Sequence, residues 1–119
     1  MDLKNFAKLI RLSALKMAFN AGKNGSHLGA GLSSVEIFAA LYGHVLHYNL
    51  DKRDEECRDR LVVSKGHCVL SYYSALHEVG FISDDDVDRF LRHNQIFEQF
   101  FVLINTKEVF WNIQALQYR

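Results

Sequence analysis

Two short stretches of the chain concentrate residues that could do chemistry. The first, GSHLGAGLSS at positions 25–34, places His27 among three glycines, and glycine at that density lets another group approach the backbone closely. The second, Lys65-Gly66-His67, joins a predicted strand to a predicted helix, where backbone N–H groups and the helix dipole favour an anion. Neither is a Walker loop or a G-x-G-x-x-G motif. A cofactor, a metal and a neighbouring helix therefore remain alternative explanations.

A metal site is the second kind of chemistry to consider. His44 and His47 lie three residues apart on a predicted helix face, and Cys57, His67 and Cys68 are further candidate ligands. These spacings match no compact zinc pattern, and surface histidines with a buried cysteine or two explain them more simply. Neither cysteine has a neighbourhood that would activate a thiol nucleophile.

Composition limits the classes of protein that fit. The 119 residues suit one compact domain, and 14 basic and 14 acidic side chains cancel, which argues against nucleic-acid binding. Apolar residues make up 49% but occur in short runs, so we expect no membrane span. The first residues do not resemble a secretory signal, and two cysteines without a disulfide pattern favour a cytoplasmic, reducing location.

Helices must position the candidate residues. Gly22 is placed to end a long first helix, and Ser33 with Glu36 forms an S-x-x-E capping box that predicts a second helix after the glycine-rich loop. The apolar residues that recur at three- and four-residue steps and predict the buried face of the first helix are Leu3, Ala7, Ile10, Ala14, Met17 and Ala21.

Further along, a strand is predicted directly before the second candidate stretch. Residues 51–60 carry charges of both signs and read as a solvated loop, and LVVS at 61–64 predicts a short buried strand. A third helix follows and ends at Gly80, and Ser83 caps another with an acidic first turn. Helices followed by strand, loop and helix favour an α/β architecture.

Three of these stretches, in this order, resemble the amino-terminal part of transketolase. They are GSHLGAGLSSVEIFAALY, RDRLVVSKGH and YYSALHEVGFIS, and the likeness covers about residues 2–96. It is greatest to the split type, in which the diphosphate-binding half is a separate chain. The resemblance implies an α/β fold, specifically an amino-terminal fragment of a parallel-sheet domain that binds thiamine diphosphate and is mostly helical in this piece.

The resemblance also implies an activity and a site. Transketolases transfer a two-carbon ketol unit between sugar phosphates with thiamine diphosphate and Mg²⁺, and in the split type they need a separate pyrimidine-binding subunit. The resemblance implies catalytic roles for His27 and His67. Histidine suits such roles because the pKa of an imidazole lies near working pH. It implies cofactor contacts from Gly29, Lys65, Gly66 and His67.

The sequence also departs from the family pattern. The family's magnesium ligands lie in glycine-containing segments, and this chain has no glycine after Gly80, so no residue is assigned to a metal. The segment with the activating glutamate is also missing. We therefore expect a partial domain over 1–96, inactive alone, and a divergent tail over 97–119. A truncated non-catalytic remnant or an interaction module is the alternative function.

The tail suggests its own origin. A shifted reading of codons for residues 107–114 can encode a glycine-containing peptide like the family's continuation, which motivates the hypothesis of a frameshift near residues 97–103. Apolar helix faces that would cover a missing sheet predict marginal stability and self-association.

Overall fold

The structure is a computed structural model, and its described residues are 1–22, 27–52, 57–61, 63 and 65–92, with the backbone alone for 89–92. Within these ranges its helical elements are α1 (Leu3–Ala21), α2 (Leu28–Ser33), α3 (Val35–Ala40), a π-helical turn (Leu41–Val45), a 3₁₀ turn (Leu50–Lys52), a second 3₁₀ turn (Gly66–Cys68), α4 (Val69–Val79) and α5 (Asp84–Arg92).

Helix α1 buries one apolar face, as its periodicity predicts. Asp2 caps its start, and Gly22, with a φ of 56°, ends it by donating its N–H to the carbonyl of Phe19. Leu3 is 36% exposed rather than buried, and Phe6, one turn further along, belongs to the core instead. The buried residues of this helix are Phe6, Ala7, Ile10, Ala14, Met17 and Ala21.

The second helical region begins earlier than the sequence predicts. Helix α2 starts at Leu28, so Gly29 and Gly31 lie in a helix and not in a loop. Gly31 is buried against α4, where an added Cβ would lie 3.0 Å from the Cβ of Leu70. Close packing of two helices explains this glycine, and it overrides the low helix propensity that suggested a loop.

The predicted capping box at Ser33 and Glu36 is wrong. The hydroxyls of Ser33 and Ser34 both donate back to the carbonyl of Ala30, at 3.2 and 3.1 Å. Glu36 instead forms an ion pair with Arg11 of α1. Serines that bond back to the preceding turn favour a bend, and the break between α2 and α3 falls at Ser34.

Helix α4 is the centre of the core and packs against α1, α2, α3 and α5. The hydroxyl of Ser74 donates to the carbonyl of Leu70 at 2.6 Å, and that of Ser71 donates to the carbonyl of Cys68 at 3.0 Å. These bonds satisfy polar groups that are completely buried. Gly80, with a φ of 96°, ends the helix as predicted. Its buried residues are Val69, Leu70, Ser71, Tyr72, Tyr73, Ser74, Ala75 and Leu76.

Ser83 caps helix α5 as the sequence predicts, and the structure adds a reciprocal bond from Asp86. The Ser83 hydroxyl accepts a hydrogen bond from the Asp86 N–H at 3.2 Å, and the Asp86 carboxylate accepts one from the Ser83 N–H at 2.9 Å. His77 ties α5 to α4, since its Nε2 lies 2.6 Å from the Asp84 carboxylate.

The predicted strand is only partly within the described residues. Leu61 forms an isolated bridge, Val63 belongs to no regular element, and residues 62 and 64 lie outside the described residues. No strand is present in the part of the chain that the structure describes, so the described residues correspond to a helical portion of a domain. The predicted parallel sheet is not seen directly, and the tail from 97 to 119 lies outside the described residues.

The charged segment over 51–60 is exposed wherever it is described, with one exception. Arg58 is only 7% exposed. Its neighbour Asp59 accepts a hydrogen bond from the His47 N–H at 2.8 Å, and this bond, with a further contact from the His47 ring, lowers the pKa of the Asp59 carboxyl. The segment is therefore tied to the end of the preceding π-helical region and is more than a solvated loop.

The segment Leu28–Val45 departs from the expectation that no part of the chain could span a membrane. Leu28–Val45 has a mean hydropathy of 1.2 and is long and apolar enough by composition alone, with 33% of it buried. Within this window α3 packs against both α1 and α4, and its buried residues are Val35, Phe38 and Ala39. A core helix passes the same test of composition, and packing accounts for these apolar residues.

Candidate functional site

The two histidines that the sequence singles out lie side by side. The ring centroids of His27 and His67 are 4.5 Å apart, with the ring planes at 81° in a T-shaped contact. Both residues are exposed. His27 precedes α2 without making a side-chain cap bond, and His67 lies in the 3₁₀ turn before α4. The fold thus brings the two predicted catalytic residues together, and their roles there stay a prediction.

The backbone around His67 is set by a tight turn. Lys65 is extended and exposed, and Gly66 is buried at the start of the 3₁₀ turn that leads into α4. The first N–H groups of a helix lack partners within it and carry the positive end of its dipole. An exposed ammonium beside such a turn suits an anionic group such as a diphosphate.

Gly29 and Gly31 have opposite surroundings although they lie in the same helix. An added Cβ at Gly29 would meet no atom within 4 Å, whereas one at Gly31 would press on Leu70. Gly29 is exposed and is the second residue after His27, so the space over it is open to a ligand. Helix packing therefore explains the glycine at position 31, whereas it does not require a glycine at position 29.

Cys68 has a structural role that the sequence did not reveal. Its thiol donates to the carbonyl of Lys65 at 2.8 Å, which closes the turn that carries His67. Burial raises the pKa of this thiol, so Cys68 is a poor nucleophile. Cys57 is exposed, so Cys68 is the buried one of the two cysteines.

The histidines and cysteines considered as zinc ligands do not come together. Within the described ranges, no three His, Cys, Asp or Glu side chains are placed to hold one metal ion. His47 instead contacts Asp59, with its Nδ1 3.3 Å from the carboxylate.

An apolar groove of about 270 Å³ adjoins Lys65. It is lined mainly by aliphatic and aromatic side chains, together with this lysine and the Cys68 thiol. The sequence pattern carried no signal for this groove, because its residues come from separate elements. They are Ser34, Ile37, Phe38, Leu41, Leu61, Val63, Lys65 and Cys68.

The residues present fit thiamine diphosphate in part. Lys65 and the turn at Gly66 suit a diphosphate, the open space over Gly29 admits a ligand, and two imidazoles suit proton transfer. No residue in the described ranges is assigned to a cation that accompanies the diphosphate, since no three His, Cys, Asp or Glu side chains are grouped there.

Comparison with known proteins identifies the family of the chain. The sequence model of a family described as "Transketolase, thiamine diphosphate binding domain" matches residues 3–99. A protein of Phocaeicola vulgatus, named as one of the subunits of apulose-4-phosphate transketolase, is 44% identical over 62 residues, which are 52% of this chain and 22% of that protein.

Two further relatives match over a larger share of this chain. A protein of the same name from Actinobacillus succinogenes is 41% identical over 86 residues, covering 71% of this chain and 30% of the relative. The transketolase of Homo sapiens is 31% identical over 85 residues, covering 71% of this chain and 13% of the relative. The chain thus matches less than a third of each of these relatives, and the family match extends three residues past the predicted boundary at 96. Both candidate motifs fall within that match, and the chain belongs to the transketolase family through its thiamine diphosphate-binding domain.

Proposed function

We propose that this chain contributes the diphosphate-binding part of a transketolase that transfers two-carbon ketol units between sugar phosphates. The observation that carries the proposal is the contact between His27 and His67. These residues come from two separate family motifs, and their ring centroids lie 4.5 Å apart. Two exposed imidazoles in contact are unusual for a structural pair, because neither ring fills the core.

The chain's own residues divide the work at such a site. Lys65 and the turn at Gly66 hold the diphosphate by charge and backbone donors, and the bare backbone at Gly29 admits the cofactor. His27 and His67 accept and return protons at the substrate hydroxyls, which an imidazole does efficiently near neutral pH. When bound, thiamine diphosphate supplies the electron sink for the two-carbon unit.

Activity requires a second, pyrimidine-binding subunit in this proposal. Two relatives are named as subunits of a transketolase, and the chain matches only 22% and 30% of their lengths. The pyrimidine-binding part and the ligands for Mg²⁺ would then come from outside the matched residues. A cytoplasmic location agrees with two free cysteines, one of them exposed.

A second candidate function is that of a non-catalytic interaction module. The observation that favours it is the outer stripe of α1, which we define as Leu12, Leu15 and Phe19, with exposures of 56%, 43% and 85%. An apolar stripe on the solvent side of a helix is typical of a docking surface. In this case the site residues would be inherited but unused.

Calorimetric titration and reconstitution separate the two candidates. The full chain is first mixed with the pyrimidine-binding half of a split transketolase and is then titrated with thiamine diphosphate and Mg²⁺. The enzyme proposal predicts saturable binding and ketol transfer that are both lost in His67→Ala. Complex formation without cofactor binding would support the interaction module, and would overturn the enzyme proposal.

A further inference from the structure

The outer stripe of α1 lies on a helix whose charges all have one sign. Leu12, Leu15 and Phe19 follow one another at steps of three and four residues, so they share one face of the helix. Between Leu3 and Ala21 the helix carries three lysines and one arginine and no acidic residue, although the chain as a whole has 14 basic and 14 acidic side chains. We propose that this face binds the surface of an anionic lipid bilayer.

Two of the lysines continue the line of the outer stripe toward the start of the helix. Lys8 precedes Leu12 by four residues and Lys4 precedes Lys8 by four, so both stand on the same side of α1, and both are exposed. At 1.5 Å per residue, the face from Lys4 to Phe19 is about 22 Å long. It is thus cationic along its first half and apolar along its second half.

The other two cations of α1 are engaged by acidic residues or lie near them. Arg11 forms an ion pair with Glu36 of α3, and Lys16 lines a cavity together with two aspartates of α5. We therefore assign the attraction for an anionic surface to Lys4 and Lys8.

The shape of this face favours a bilayer over a protein groove. The opposite side of α1 is packed in the core, so a groove cannot close around the helix. A helix at a membrane interface lies flat, with its apolar residues among the acyl chains and its cations at the headgroups. Anionic headgroups attract each lysine, whereas a second copy of the chain brings like charges. The inference uses none of the residues proposed to hold the cofactor, so it does not rest on the proposed ketol transfer.

Flotation of the full chain with lipid vesicles tests the proposal, because only vesicle-bound protein rises with the lipid. We expect binding to vesicles of equal parts phosphatidylserine and phosphatidylcholine that weakens as salt is added, and binding at least about tenfold weaker to phosphatidylcholine alone. Phe19→Ser should weaken binding by about tenfold or more, because it removes the most exposed side chain of the outer stripe. Lys8→Gln should weaken it by about fivefold.

Lys52→Gln is the matched control for charge. Lys52 is exposed but lies in a 3₁₀ turn outside α1, and its replacement changes the net charge by the same amount, so this variant should bind as before. Equal losses in Lys8→Gln and Lys52→Gln would overturn the proposal, as would flotation that is equal on both kinds of vesicle or insensitive to salt. Association of copies without any flotation would assign the stripe to a second copy and would also overturn it.

A second measurement needs no variant. In bicelles of the same anionic lipids with a spin label in the acyl chain, the label should broaden the methyl signals of Leu12 and Leu15 first. The signals of Ile37 and Val45, which are 59% and 52% exposed on other elements, should broaden later. Broadening that is equal at all four residues, or is centred on Ile37 or Val45, would contradict binding through α1.

Discussion

His27 and His67 meet because each stands at the beginning of a helical segment, and those segments touch. His27 precedes α2, while His67 precedes α4, and the two helices approach closely where Gly31 lies against Leu70. The thiol of Cys68 then closes the turn under His67 by bonding to the carbonyl of Lys65. Chemistry at these side chains thus depends on one glycine and one buried thiol that do not themselves react.

The two glycines of α2 give the first prediction. Gly31→Ala should be less stable than Gly29→Ala by about 1–3 kcal/mol, because both gain helix propensity but only the methyl group at 31 presses on Leu70. Gly29→Ala should leave stability unchanged or raise it by up to about 1 kcal/mol, because alanine favours a helix and meets no atom there. Urea unfolding of both variants measures this. Equal losses in the two would show that α2 is not packed as described.

The second prediction concerns alkaline pH. Burial raises the pKa of the Cys68 thiol above its ordinary 9.0 and that of the Tyr73 hydroxyl above its ordinary 10.0. The unfolded chain therefore loses these protons at a lower pH than the folded chain does. The free energy of unfolding keeps its full value below about pH 9 and falls as the pH rises beyond it. Each group adds a slope of up to about 1.4 kcal/mol per pH unit.

Urea midpoints between pH 8 and 11 test this slope. Tyr73→Phe should flatten it above pH 10, because the variant has no hydroxyl to ionise. Cys57→Ser should leave it unchanged, since Cys57 is exposed. A Tyr73→Phe variant with the slope of the unmodified chain would contradict the assignment.

At the scale of elements, the two serine motifs differ in what they stabilise. Ser83 caps α5 through its bonds with Asp86, whereas the Ser33 hydroxyl only bonds back to Ala30. Ser83→Ala should therefore cost about 1 kcal/mol and speed amide exchange in α5, and Ser33→Ala should cost less than about 0.5 kcal/mol. Hydrogen exchange with urea unfolding compares them. A larger loss for Ser33→Ala would restore the capping box that the structure rejects.

Apolar periodicity and helix-capping residues predicted some elements well, because the local sequence determines those elements. The buried face of α1, the ends at Gly22 and Gly80, and the cap at Ser83 all follow from such signals. The start of α2 could not be predicted, because Gly31 is selected by contact with a helix far away in sequence. The Ser33 motif fails for the same reason, since Glu36 is taken by Arg11 of α1.

The candidate site was predicted by family likeness more than by physical chemistry. Nothing local marks His27 as a partner of His67, since the two are distant in sequence and only packing of α2 on α4 joins them. Gly29 could be told from Gly31 only by the space around each. Cys68 carried no local sign that it clamps the turn.

At the scale of the whole molecule, α1 is apolar on two sides. One side packs in the core, and the outer stripe of Leu12, Leu15 and Phe19 faces away from it. Lys8 and Lys16 are exposed next to the stripe. Copies of the chain can therefore associate through the stripe, although like charges oppose their approach.

Sedimentation of the full chain tests this surface. We expect self-association that increases with salt, because salt screens the lysines, and that falls at least about tenfold in affinity in Phe19→Ser. Val45→Ser is the control, since Val45 is 52% exposed but lies in the π-helical turn, outside α1. A monomer at all salt concentrations, with a sharp cooperative melt, would contradict the prediction.

The most direct test of the account is nuclear magnetic resonance of the histidine rings during titration with thiamine diphosphate and Mg²⁺, with the pyrimidine-binding subunit present. We predict saturable shifts of the His27 and His67 signals, while those of His47 and His77 stay in place. Cofactor binding that leaves both of the first two signals unmoved, or no binding by the folded chain, would contradict the assignment of this histidine pair to the cofactor site.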